Sequence, residues 1–434
     1  MINFFKKNEL SRIKKNIQGN LVLTSSLVLI QLFHLPMMIY IWGIEKTGYW
    51  FYLLAIPSIL SFWKLSFSEA SKQELIIKIN ANKNEIYTIS FALTFITLLI
   101  FAIIYFTINI KFISFFEIFK DVEIYKFNWI LGLIFASFAI DLITNNFLII
   151  SEHKGKIYSA QILVSIFSIL EKIIIPLVGY FTEYLLYAAI FLLMLKIIRY
   201  IISKYIINKF ITKISLNLKN FNRKTVIDIF KKSTSFYFND LSYILNVSGF
   251  IYFIGYFFTA EIVAMITAFQ TMFRFTIVRV ISIFENVVRY EYANFYKNKK
   301  FLDILKLYKL QRNIFYILIG LFLIVVYFFG KIVFDLWTGS VFIYSTNLVY
   351  LVVLDSIIFM IGYNQILLLY SLNKLKKISL YALIINVLSF IFLFSFDTLR
   401  VNLETIYYVL IFKGFLIFLI NMISNFRFLK FLQK

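Results

Sequence analysis

The sequence contains no cysteine, which excludes a disulfide, a thiolate zinc site and a cysteine nucleophile. It has two histidines, His34 and His153, too few for a histidine-based metal centre, so no metal or other cofactor is expected. Proline occurs three times and glycine thirteen times in 434 residues, which leaves long stretches without helix breakers. Charge is scarce and one-sided: 15% of residues are charged, with 44 Lys and Arg against 22 Asp and Glu.

What fills the chain instead is apolar. Hydrophobic residues make up 61% of it and aromatic residues 20%, where a soluble domain sits nearer 45–50% apolar. One core cannot hide that excess, so much of it must face lipid. The net charge of +22 falls in short basic blocks between apolar runs. That is the positive-inside pattern of a membrane protein and argues against a nucleic-acid groove. The basic N-terminus, MINFFKKNELSRIKKN, is not followed by a short apolar region with a small-residue cleavage site, so no removable signal peptide is expected.

Twelve stretches have the ~20 mostly apolar residues that a spanning helix needs. They are 20–42, 48–67, 87–108, 127–150, 157–180 and 183–206 in the first half, and 233–258, 260–284, 314–337, 344–370, 378–396 and 404–426 in the second. With the N-terminus in the cytoplasm, the outward segments hold only Lys46, Lys111, Lys120, Lys126, Lys331 and Arg400, and the remaining basic blocks lie inside. Both termini are then cytoplasmic, in a multi-pass protein of a bacterial cytoplasmic membrane. The expected fold is an all-α integral membrane protein of two six-helix bundles, 1–209 and 233–434, joined by a basic cytoplasmic linker at 210–232.

Three basic inside segments with helical apolar spacing, 4–17, 216–230 and 287–310, are expected to lie as amphipathic helices on the anionic inner leaflet. The outward segment 109–126 mixes Glu117, Asp121 and Glu123 with aromatic residues, as an interfacial stretch does. A faint repeat supports two halves. Gly43-Ile-Glu-Lys-Thr47-Gly48 joins the first two spans, and Gly255-Tyr-Phe-Phe-Thr259-Ala260 does the same at the seventh and eighth, 212 residues later.

The segment Phe329-Gly330-Lys331-Ile332-Val333-Phe334-Asp335-Leu336-Trp337-Thr338-Gly339 closes the ninth span with an apolar run and a Leu-Trp-x-Gly turn. Thr259-Ala260-Glu261-Ile262-Val263-Ala264 opens the eighth, and Leu372-Asn373-Lys374 turns after the tenth. With twelve spans in a 6+6 arrangement, a basic middle loop and small outer loops, the chain resembles the multidrug/oligosaccharidyl-lipid/polysaccharide exporter superfamily, and within it the Wzx-type polysaccharide flippases. The resemblance runs over essentially the whole chain on loose motifs, and the sequence is poorer in Gly and Ala than most relatives. It implies a MATE-like architecture. The activity it implies is a flippase that moves undecaprenyl-diphosphate-linked oligosaccharide across the membrane by alternating access for O-antigen, capsule or lipopolysaccharide assembly. The implied partners are the lipid-linked oligosaccharide, membrane lipid, a proton or sodium ion and a polysaccharide polymerase.

A transporter's chemistry is sought in ionisable groups at membrane depth, where a charge costs roughly 2.5–3.5 kcal/mol and turns toward protein or water. Lys172, Arg274 and Lys413 are the cations placed to hold a diphosphate. Arg199 and Arg279 stand behind them, near enough to the cytoplasmic end, like Lys64 and Lys196, to snorkel. Asp141, Glu171, Asp240 and Asp355 are candidates for ion coupling, with Asp141 and Asp355 equally able to serve as structural partners of the cations. Pro36 and Pro176 permit kinks beside His34 and Glu171.

Two other functions remain open. A multidrug or small-metabolite exporter of the same fold would want more acidic than basic cavity residues. A membrane glycan polymerase or glycosyltransferase would want a large outer loop, and no such loop exceeds about eighteen residues.

Overall fold

Apolar runs with so few breakers must satisfy their backbone groups within themselves, and in hydrocarbon a helix does this in a single segment. The computed structural model follows that rule. It describes residues 7–60, 83–108, 124–153, 157–182, 184–211, 222–395 and 402–433, with Phe67, Ala70, Ser71 and Leu75. Among these residues the regular elements are helices. The first half has α1 (Lys7–Leu60), α2 (Lys83–Ile108), α3 (Ile124–His153), α4 (Ile157–Thr182) and α5 (Leu185–Ile206). The second has α6 (Arg223–Ile244), α7 (Phe250–Phe257), α8 (Ala260–Phe269), α9 (Thr276–Lys297), α10 (Phe301–Thr338), α11 (Thr346–Ser371), α12 (Lys376–Phe394) and α13 (Leu403–Gln433). Short π-helical turns at Ile207–Ile211, Leu245–Gly249 and Gln270–Phe275 extend or join them.

Nine stretches among the described residues are long and apolar enough to cross a membrane. The expected spans map onto the helices with three changes. The first, and the second as far as Leu60, lie in α1, bent where Gly43 takes φ 78° and ψ 171°, a conformation in the region that favours glycine. The seventh is α6 and α7 joined by a π turn. The eighth is α8 and α9 joined by another, and Phe258 and Thr259 between the two spans are extended.

Segment 287–310 is not one amphipathic helix on the leaflet. It is the end of α9, a turn through Lys299 at φ 56°, and the start of α10. Its apolar face turns inward: Tyr292, Phe295, Ile304 and Tyr308 are buried against Leu368 of α11, Leu372 just after it and Leu432 of α13. Of the other two, the side chains of 4–17 and the residues 212–221 lie outside those described. The C-terminal part of 210–232 is the first turns of α6, started by Asn222, whose side chain accepts from the Lys224 N–H at 2.9 Å, and followed by a fully buried Ile229. Most of the outer segment 109–126 is likewise outside the described residues.

The largest apolar cluster joins the two halves at the end holding Gly43 and Thr259, called distal here. It runs from Leu35, Trp50 and Tyr52 of α1 to Phe253, Ala260, Val263 and Phe334. Backbones approach closely there: a Cβ on Gly48 would sit 1.9 Å from the Ala260 carbonyl oxygen, and one on Gly255 would meet the Tyr52 ring at 2.2 Å. Tyr52 stacks on Tyr252 with centroids 5.7 Å apart. The two segments that look like a repeat are thus in contact with each other.

The prolines explain a second set of contacts. A helical proline has no N–H for the carbonyl four residues before it. Pro176 orphans the Lys172 carbonyl, and the His34 ring pairs with it at 2.8 Å. Pro36 orphans the Leu32 carbonyl, and the indole N–H of Trp337 donates to it from α10. His34 therefore has a structural task, and Trp337 of the Leu-Trp-x-Gly turn ties the halves together.

Candidate functional site

The polar groups at membrane depth collect in two places. In the first half, Lys196 and Arg199 lie three residues apart and so share a face of α5. The Lys196 ammonium donates to Glu171 Oε2 of α4 at 2.6 Å and lies 2.9 Å from Asp141 Oδ2 of α3. Arg199 Nη1 donates to Asp141 Oδ1 at 3.0 Å. The carboxylate side chains keep 27% and 29% of their surface exposed, and the cations 12% and 8%, so the acids form the open face of the cluster. Lys172 follows Glu171 in sequence, about 100° round the helix, within electrostatic range of Arg279 and Lys196.

In the second half the cluster is enclosed. Arg274 Nη1 donates to Asp355 Oδ2 of α11 at 3.0 Å, with the two side chains 3% and 6% exposed. Arg274 sits on the π turn Gln270–Phe275, whose wider winding is marked by Thr276 Oγ1 donating five residues back to the Thr271 carbonyl at 2.9 Å. Such bulges commonly occur at functional sites. This one turns both Gln270 and Arg274 inward, where each is almost fully buried. The Arg274 guanidinium also lies 4.9 Å over the Phe359 ring. Lys413 of α13 is 1% exposed. Its ammonium lies 5.0 Å over the Phe390 ring and has no hydrogen-bond acceptor.

Beside this cluster lies a cavity of about 60 Å³, lined by Asn239, Ser242, Asn246, Asp355, Gly414 and Asn421 among others. That volume holds a few waters, at roughly 10–15 Å³ each. Further toward the α9–α10 turn, uncharged side chains bridge four helices. Tyr292 donates to Gln311 at 2.6 Å, Gln311 to Asn364, Tyr308 to Gln365 at 2.8 Å, and Asn425 to Tyr308 at 2.8 Å.

The residues named from sequence as anion holders and those named as ion-coupling acids are therefore largely two ends of the same ion pairs. Arg199 pairs with Asp141 and Arg274 with Asp355. Asp240 lies on α6 next to the cavity-lining Asn239, and Arg279 is exposed on α9. Sequence reasoning missed Lys196 as the centre of its cluster, because its place near a helix end pointed to snorkelling. The legible signal was the i, i+3 spacing of Lys196 and Arg199 facing two acidic spans.

No family profile matches the chain, and no curated protein matches it. Solved structures do. A MATE protein crystallised with MaD5 superposes with a TM-score of 0.70 at 13% identity, covering 97% of each chain. A mutant of the Vibrio cholerae MATE transporter VcmN gives 0.71 at 14% identity and 98% of each. The fold is that of the MATE transporters. A MOP superfamily transporter from Pyrococcus furiosus, described as having a binding pocket of reverse polarity, gives a TM-score of 0.68 at 14% identity over 97% of each chain.

Proposed function

We propose that this chain is a multi-pass membrane transporter that exports an amphiphilic small solute by alternating access between bundles 1–209 and 233–434, hinged at 210–232. The observation that carries the reading is the distal seam, where Gly48 and Ala260 touch backbone to backbone while each half keeps its own cluster of ion-paired charges. Charges cost too much at membrane depth to be kept there without a task or a partner, and a seam of small residues lets two rigid units close and part. Likeness both to an outward-facing and to an inward-facing structure of a multidrug resistance MATE family transporter, at a TM-score of 0.67 each, supports a fold compatible with both states. Arg199 and Arg274 are bound to acids and Lys413 is enclosed, so three of the five cations weighed for a diphosphate are not displayed in this conformation, while Arg279 is exposed. That favours a small-solute exporter.

One observation keeps a lipid-diphosphate-oligosaccharide cargo as a second reading. Lys172, Lys196 and Arg199 face Asp141 and Glu171, and Arg274 and Lys413 face Asp355, so cations outnumber acids in both clusters. In that reading Lys172 and Arg279 meet the head group first. Proteoliposomes test both: ethidium efflux under an imposed ion gradient is the expected signal. Leaflet reversal of a fluorescent polyprenyl-diphosphate sugar without ethidium efflux selects the second reading, and neither activity removes the transporter assignment.

A further inference from the structure

Among the described residues, Lys413 is the one cation of the second-half cluster without an acceptor. Its ammonium nitrogen is buried with no hydrogen-bond partner, in a place where the single carboxylate in range, Asp355, is already held by Arg274 at 3.0 Å. The charged groups that face it are Asp355 of α11 and Arg274 of the π turn, and Tyr407 of α13 faces the same two. α12 presents the Phe390 ring to it, and α10 meets α13 further along, where Asn425 donates to Tyr308. Two cations against one anion leave an uncompensated positive charge in an apolar interior, which is costly enough that the group sheds its proton or finds an anion.

We propose that Lys413 is a proton-binding site of this protein, exchanging its proton when water reaches the cluster. The next residue, Gly414, and Asp355 both line the cavity, so water held there stands beside the cluster. The step balances simply: a hydronium in the cavity gives its proton to the Lys413 amine, leaving water and an ammonium. That ammonium competes with Arg274 for Asp355. Arg274 stands on the π turn that directly follows α8, and α8 carries Ala260 of the distal seam. Protonation thereby loosens the anchor of the helix that closes the seam. The inference rests on the alternating-access reading and assigns its driving group to a lysine, not to one of the carboxylates.

The test uses the absence of cysteine. A single thiol at Val263→Cys reports the seam, since Val263 is buried one helical turn from Ala260. Glu261→Cys, exposed on the same helix, supplies the reference rate. Labelling by a membrane-impermeant maleimide in proteoliposomes, taken as the ratio of the two, is expected to rise at least about fivefold as pH falls from about 9 to about 6. In Lys413→Met and Lys413→Gln the ratio is expected to stay low and flat, and in Lys413→Arg to stay high and flat. Glu261→Cys labelling and a retained thermal transition in each variant show that it has folded. Three results overturn the proposal: an unchanged pH midpoint in Lys413→Met, a wild-type ratio indifferent to pH, or a ratio that follows chloride at constant pH, which would mean an anion partners a permanent ammonium. A labelling ratio that shifts with lipid or ion gradient but not with pH leaves alternating access standing while the lysine assignment falls. A ratio fixed under every condition removes both.

Discussion

Gly48→Ala tests the distal seam most sharply. The added methyl would lie 1.9 Å from the Ala260 carbonyl oxygen and 2.6 Å from its carbon, so backbone and not a flexible side chain stands in the way. Relief requires the two helices to part by roughly 1.5 Å to reach ordinary contact, and overpacking of this kind costs about 1–3 kcal/mol. If the seam exists only in the distal-closed state, that cost falls on one side of the conformational equilibrium and shifts it about 5- to 150-fold toward opening. Maleimide labelling of Val263→Cys, referenced to Glu261→Cys, should rise accordingly at high pH, where the closed state otherwise prevails. Gly320→Ala is the control: nothing lies within 4 Å of its would-be methyl, and alanine favours a helix interior by about 0.5–1 kcal/mol, so labelling should not change. Equal labelling in Gly48→Ala and the parent would refute the reasoning, because it would mean that this contact does not distinguish the states.

Asp355→Asn strands Arg274, which is 3% exposed, and should lower stability by about 3–5 kcal/mol, whereas the double change Arg274→Met/Asp355→Leu should recover most of it; thermal denaturation in one detergent compares the three. Lys196→Met leaves Asp141 and Glu171 facing each other, but both are more than a quarter exposed, so the loss should be smaller, about 1–3 kcal/mol, and eased by salt in the same assay. Trp337→Phe keeps an aromatic, though smaller, side chain and removes the N–H that the Leu32 carbonyl receives. It should cost about 1–3 kcal/mol, and Trp337→Phe with Pro36→Ala, which restores a helical donor, should lose less than Trp337→Phe alone.

Much of the architecture was legible because membrane helices announce themselves by length. Eight of the expected spans are single helices, and the basic blocks mark the turns between them. The π turns were not legible: Leu245–Gly249 and Gln270–Phe275 insert one residue into an apolar run without changing its composition. The α9–α10 turn was missed because Asn298, Lys299 and Lys300 are polar without a glycine or proline, so 287–310 kept helical spacing across a real break. At the site, depth alone identified Arg274, Asp355 and Lys413, but their grouping emerges only from the fold. Pairing was the harder matter. Whether Arg199 seeks water or Asp141 depends on which faces of α3 and α5 meet, and a near-featureless apolar pattern does not say. The proline carbonyls taught the reverse lesson: an orphan at position i−4 is predictable from sequence, but its donor, His34 or Trp337, comes from a distant helix.

Alternating access requires the two ends to close reciprocally, and paired accessibility measures it. Single thiols at Val263→Cys, in the distal cluster, and at Ile229→Cys, buried in the apolar cluster that includes Phe67 near the other end, are labelled in proteoliposomes across the same set of pH values and ion gradients. Every condition that raises one rate is expected to lower the other. Rates that rise and fall together, or a distal thiol that never reacts under any gradient, would contradict it.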